Sequence, residues 1–172
     1  MTRSQKTPST PANPDGNKTL QVRKISNGTV IDHITAGYAL AVLEILGITG
    51  REGYIIYIAM NVQSKRMGMK DIIKVEGREL TTDEINKIAL IAPIATINII
   101  REYRVHAKHR ITLPDKIEGI VHCSNPSCIT NNERGITNNF KVIQRNPVTI
   151  RCTYCQHITS HDNIINQLLG LI

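Results

Sequence analysis

Aromatic side chains are scarce in this 172-residue chain, which has no Trp, one Phe and five Tyr. Any core must therefore be packed from Ile, Leu, Val and Ala, and the abundance of isoleucine suits strands. The shortage of rings also leaves few platforms on which single-stranded nucleic acid could stack. No apolar run approaches the roughly 18 residues of a membrane-spanning helix, and the N-terminal stretch lacks a signal-peptide core. A soluble, cytoplasmic protein is expected. Acidic residues are in deficit, 14 against 21 Lys and Arg, for a net charge of +7 and a pI near 9.4. That balance implies an anionic partner, whether nucleotide, nucleic acid, acidic protein surface or membrane, and composition does not choose among them. No nucleophile–base pair and no open metal site can be assembled, so an enzyme is not expected.

There are only four cysteines, and all fall in one stretch as two pairs, Cys123-x4-Cys128 and Cys152-x2-Cys155. Two short-spaced pairs match a structural zinc site, in which each pair forms a knuckle and four thiolates close a tetrahedron. Two disulfides, or four unrelated buried thiols, are the plainer alternatives. The regular pairing and the absence of secretory features weigh against them. A thioredoxin-like role for Cys152-x2-Cys155 would need the motif after a strand of a βαβ unit, whereas a β-hairpin precedes it here. Four sulfurs make a closed site that folds a domain, with one Zn2+ ion per chain. His122, His157 and His161 lie nearby and read as surface histidines.

The length accommodates two small domains. Residues 1–17 contain three prolines and little that is apolar, and read as a disordered tail. Two β-type runs, LQVRKI and TVIDHI, flank the turn signal Ser26-Asn27-Gly28. Ala36–Leu46 reads as a buried helix, and Tyr54–Asn61 and Met69–Glu76 as strands. Leu80–Pro93 holds the strongest helix, with a Thr81/Glu84 capping box and a Leu80/Ile85 staple. Thr96–Val105 reads as one long strand. The order predicts an α+β, ferredoxin-like βαββαβ domain over residues 18–109, with both helices on one face. Basic residues ending in Leu-Pro mark a boundary, with a linker over 110–115. A small antiparallel-β zinc domain built on the four cysteines follows over 116–172, with a hairpin of Phe140–Gln144 and Val148–Cys152 delivering the second knuckle. Asp162–Leu171 has the pattern of a short amphipathic helix.

Within the first domain, Lys70, Ile72 and Lys74 share one strand face, which puts the two ammonium groups about 13 Å apart. Solvated surface lysines are the bland reading. Asp32, His33, Asn98, Tyr103 and Lys108 can converge on the same region, and that mixture suits a nucleoside triphosphate: cations for phosphate, a carboxylate for ribose and an apolar wall for a base.

The runs GTVIDHI (Gly28–Ile34), GMKDIIKVE (Gly68–Glu76) and APIATINII (Ala92–Ile100), together with the two cysteine pairs, resemble the regulatory chain of aspartate carbamoyltransferase over about residues 18–161. The resemblance implies an N-terminal allosteric domain that binds CTP, ATP and in some members UTP. It also implies a zinc domain docking on the catalytic chain, dimerisation through the allosteric domains, and no catalysis by this chain in pyrimidine biosynthesis. By matching motif, Asp32 and His33 would contact ribose and phosphate, and Lys70 and Lys74 phosphate and ribose. Asn98, Ile100, Tyr103, Val105 and Lys108 would line the remaining pocket, and Val22 to Ile25 with Val30 would border the base. Asn98 and Ile100 differ in strand parity from Tyr103 and Val105, so a shared ligand demands a bulge or backbone contacts. The +7 charge and the four-cysteine module alone would also fit a zinc-ribbon nucleic-acid-binding protein.

Overall fold

The computed structural model describes residues 23–171. The expected tail and Val22 lie outside them. Seven elements build the first unit: β1 (Gly28–Thr35), α1 (Ala39–Ile45), β2 (Ile56–Ser64), β3 (Gly68–Glu76), α2 (Thr82–Ile91), β4 (Thr96–Arg101) and β5 (Arg104–Arg110). They make an antiparallel sheet of order β2-β3-β1-β4-β5, whose first four strands have the ferredoxin-like arrangement. Strand alternation separates the two faces. Thr29, Ile31, Ile73, Val75 and Ile97 are buried with Ile88, Leu90 and Val42 of the helices, while Val30, Lys74 and Asn98 on the opposite face stay partly open. Helix α2 begins as its sequence demands. Thr81 accepts from the Glu84 amide, the Glu84 carboxylate accepts from the Thr81 amide at 2.8 Å, and Leu80 and Ile85 both pack on the core.

Three expectations are corrected. The segment Thr96–Val105 is a hairpin, not one strand: Glu102 and Tyr103 adopt left-handed conformations (φ 49° and 61°) and reverse the chain into β5. This tight turn is held from outside, since the Tyr103 amide donates to the Ser26 carbonyl at 2.9 Å and the Glu102 amide to Asn27 Oδ1 at 3.2 Å. Second, the basic stretch from His106 to Arg110 belongs to the sheet, so the connection starts after Arg110 and is shorter than 110–115. Third, the described part of LQVRKI, Arg23–Ile25, is not a strand.

The second unit has a sheet of order β6-β7-β8-β9, formed by β6 (Lys116–Glu118), β7 (Asn139–Arg145), β8 (Val148–Cys152) and β9 (Ile158–Thr159). Between β6 and β7 lies the one-turn α3 (Ile129–Asn132), and α4 (His161–Leu168) follows β9. Phe140 is fully buried at the centre with Ile150, Val148 and Cys152. Helix α4, capped by Ser160, packs back against α2, and the His161 ring meets Tyr38 edge-on at 5.7 Å between centroids. Its buried residues Ile164 and Ile165 join one apolar cluster that runs through both units. No described helix is long and apolar enough to cross a membrane.

Candidate functional site

The open face of the first sheet collects most of the expected binding residues, because strand register places them in rows. Tyr57, Lys74, Val30, Asn98 and Lys108 are successive partners across all five strands. At about 4.8 Å per strand, Lys74 and Lys108 lie roughly 14 Å apart along that row. One row away, Gly28, Ile100 and Val105 are partners; one row in the other direction, Asp32, Thr96 and Arg110 are. The face thus grades from apolar to charged along β1. The parity conflict is resolved by a bulge: Ile99 pairs with Ala107 but Ile100 with Val105, so His106 is the extra residue and Val105 shares a face with Lys108.

At the apolar end, Lys24, Ile25, Val30, Lys74, Ile100, Tyr103 and Val105 enclose a cleft of about 180 Å³. Lys74 Nζ crosses its rim to donate to the Arg23 carbonyl at 2.7 Å, and burial lowers the pKa of this ammonium although Asp32 opposes the shift. At the charged end Lys70 Nζ lies 2.7 Å from Asp32 Oδ1. The neighbouring His33 takes a left-handed backbone conformation (φ 61°), its amide donating to Asp32 Oδ1 at 2.6 Å. Its ring Nδ1 is buried without a hydrogen-bond partner. Burial lowers the His33 pKa first; Asp32 opposes this, while the positive charges of Lys70, Arg66 and Lys108 lower it further. Asp32 Oδ2 lies 3.4 Å from that Nδ1, so the imidazole sits between one carboxylate and three cations.

Sequence reasoning did not single out Tyr57, Arg66 or Arg110. Arg66 sits in the β2–β3 turn, and Arg110 in the stretch expected to be a linker. Only the pairing register shows that Tyr57 and Arg110 share rows with the expected residues.

The four cysteines converge from the loop before α3, the N-cap of that helix, the last residue of β8 and the turn after it. All four sulfurs lie within 4.8 Å of one another, with Cys123 to Cys155 at 3.5 Å and Cys128 to Cys152 at 3.8 Å. A tetrahedron of thiolates at about 2.3 Å from zinc has edges of about 3.8 Å. These separations therefore fit one metal ion and are far too long for a disulfide. Burial pushes the Cys123 and Cys152 thiols up. At Cys128 burial is outweighed by the Thr130 hydroxyl and amide, which bring that thiol down to about 6. A divalent cation would hold all four as thiolates and supply only folding energy, because no fifth ligand position is implied.

Asparagines that sequence reasoning passed over brace the first knuckle. Asn131 Nδ2 donates to the carbonyls of Cys123 and Asn125 at 2.8 and 2.9 Å, and Asn132 Nδ2 to those of Pro126 and Cys128 at 2.9 and 2.8 Å. His122, His157 and His161 are outside the sulfur cluster, and His161, expected at the surface, is instead packed against Tyr38 with its Nδ1 buried.

A family model described as the allosteric domain of the aspartate carbamoyltransferase regulatory chain matches residues 20–112, and one described as its metal binding domain matches residues 115–165. Curated proteins called aspartate carbamoyltransferase regulatory chain are similar over nearly their whole length. That of Hyperthermus butylicus is 55% identical, covering 87% of this chain and 94% of its own. That of Methanothrix thermoacetophila is 57% identical over 79% and 88%, and that of Pyrococcus horikoshii 51% over 87% and 98%.

Proposed function

Because the chain belongs to the aspartate carbamoyltransferase regulatory-chain family, we propose that it binds nucleoside triphosphates on the open face of the first sheet and relays their occupancy to a catalytic chain. It is a regulatory, non-catalytic subunit whose second domain holds a structural metal ion. The observation that carries the effector reading is the graded face: an apolar cleft, then Lys74, Asn98 and Lys108 in one row, then Asp32 with Lys70 and His33. A base fits the cleft bounded by Ile25, Val30, Ile100, Tyr103 and Val105. Lys74 and Asp32 suit the ribose, and Lys70, His33 and Lys108 the phosphates. Val22 would border the base from outside the described residues. ATP and CTP are the proposed effectors. Control then requires that each bind the tense and relaxed assemblies with different affinity.

Two surfaces support the proposed partners. The outer edges of the first sheet differ: β5 carries Arg104, His106, Lys108 and Arg110, whereas β2 exposes Ile58 and Met60 and is preceded by exposed Tyr54 and Ile55. Charge protects an edge strand and an apolar edge needs cover, so β2 is the side for a regulatory-chain homodimer. In the second sheet Lys116, Lys141 and Arg151 are partners in one exposed row, suited to an acidic surface of the catalytic chain. We take the first sheet and its helices, through Arg110, as the effector domain and 116–172 as the docking domain, in the cytoplasm with the pyrimidine-forming enzyme. Nucleic-acid binding is not favoured, since both domain matches point to the regulatory chain.

The test is calorimetric titration of the zinc-loaded chain with ATP and CTP. Saturable binding that weakens at least about tenfold in Lys74→Ala is the expected result, as for loss of a charge-assisted hydrogen bond. Equal binding by the variant would remove this face from consideration.

A further inference from the structure

Beside the effector face, on the buried side of the same sheet, lies a carboxylate with unusual duties. Asp71 is fully buried in β3 between Lys70 and Ile72. Its Oδ2 accepts from the amides of Gly37 at 2.8 Å and Ala39 at 3.0 Å, which open α1, and its Oδ1 accepts from the Asn61 amide of β2 at 2.8 Å. These bonds fall where both flanking strands are irregular. On one side Asp32 and His33 of β1 together face the single residue Ile72, so that Ile31 and Ile34 both point inward. On the other side Met60 and Asn61 of β2 together face Asp71 itself. His33 and Asn61, the second residue of each bulge, have φ of 61° and 56°. Non-glycine residues keep such conformations only where their surroundings hold them.

We propose that Asp71 is a positioning residue of the effector site: by holding the turn after β1 and the bulge of β2, its carboxylate fixes the Asp32–His33 bulge in the shape that presents those side chains to the nucleotide. The inference rests on the effector reading above. It also ties the site to β2, because one carboxylate spans both bulges, and a displacement of Asn61 loads the turn that follows His33. Asp71 itself touches no ligand; it acts through backbone amides.

The experiment compares the full zinc-loaded chain with Asp71→Asn and Ile73→Val, using ATP as the probe. Asparagine keeps the shape but sets an amide NH2 against backbone donors. Ile73→Val trims the next buried position of β3, whose strand partners Ile31 and Ile58 lie outside both bulged segments. Amide resonances of Gly37, Ala39 and Asn61 are followed by NMR, with those of Asp32 and His33. The expected result is that Asp71→Asn, still folded and holding its zinc, moves all five resonances and weakens ATP about tenfold or more. Ile73→Val should bind within about threefold of the parent. If the three donor amides move while Asp32, His33 and ATP affinity stay unchanged, the proposal is overturned. If the parent chain binds no ATP, the effector reading fails separately, and the Asp32 and His33 resonances alone decide whether Asp71 sets the bulge. If Asp71→Asn does not fold at all, Asn61→Gly, which relaxes one bulge while leaving the carboxylate, must shift the His33 resonance or the coupling is wrong.

Discussion

Gly28 shows how a residue with no side chain can govern the open face of the first sheet. It opens β1 at φ 136°, and a Cβ there would meet the Val75 carbonyl oxygen at 2.1 Å, against backbone that has no room to retreat. Gly28→Ala should therefore cost about 2–5 kcal/mol, combining strain with overpacking, read as a lower urea midpoint with little change in slope. A similar argument separates what could be read from residues alone. The zinc ligands were legible because metal coordination imposes its spacing on the chain. Asp32, Lys70 and Lys74 are grouped as proposed effector contacts only through family motifs, since a strand lysine looks the same whether it meets solvent or phosphate. Asp71 was passed over: strand parity puts it on the core side of β3 with Ile73 and Val75, but no local pattern records the three amides, from Gly37, Ala39 and Asn61, that are aimed at it.

At the level of elements, the two sheets obtain their stability differently. The first has helices over one face and many fully buried Ile, Val and Leu side chains. The second has short strands, a one-turn helix and Phe140 as its single buried ring. In zinc-finger peptides a structural ion contributes about 10–16 kcal/mol, so metal is expected to contribute more than the core to holding β6–β9. Removing zinc with a strong chelator should abolish the dispersed NMR resonances of β7 and β8 while those of β1, β3 and β4 persist. It should also release any bound catalytic chain. Retention of β7 and β8 order after complete zinc loss would show that the apolar cluster suffices. Sequence reasoning found the α2 cap and the β7–β8 hairpin because their signals are local. It missed the β4–β5 turn because Arg101-Glu102-Tyr103-Arg104 contains no Gly, Pro or Asn. That turn is held by Ser26 and Asn27, some seventy-five positions away, and no local pattern records such a bond.

For the whole molecule the decisive element is α4, which belongs to the zinc unit by sequence and packs on α2 of the other. Gln167 reads both backbone groups of His122, accepting at 2.7 Å and donating at 3.0 Å, so the helix is fastened next to Cys123. At its other end His161 is wedged against Tyr38, with Nδ1 buried and lacking a hydrogen-bond partner. Burial lowers the His161 pKa from its ordinary 6.5, outweighing Asp162 and the Ile91 backbone, which raise it. In the unfolded chain the same imidazole takes its proton at higher pH. Below about 6.5 the unfolded state therefore binds more protons, and stability must fall as pH falls through that window. His33 shifts in the same direction and adds to the slope. Thermal unfolding of the zinc-loaded chain should thus have a lower midpoint at mildly acidic pH than at neutral pH. His161→Phe, which keeps the ring against Tyr38 but cannot be charged, should show a smaller drop over the same range with zinc content verified at both ends. Equal drops in the two proteins would mean that the joint between the domains tolerates the charge, and that the acid sensitivity resides in the open face of the first sheet, with His33, instead.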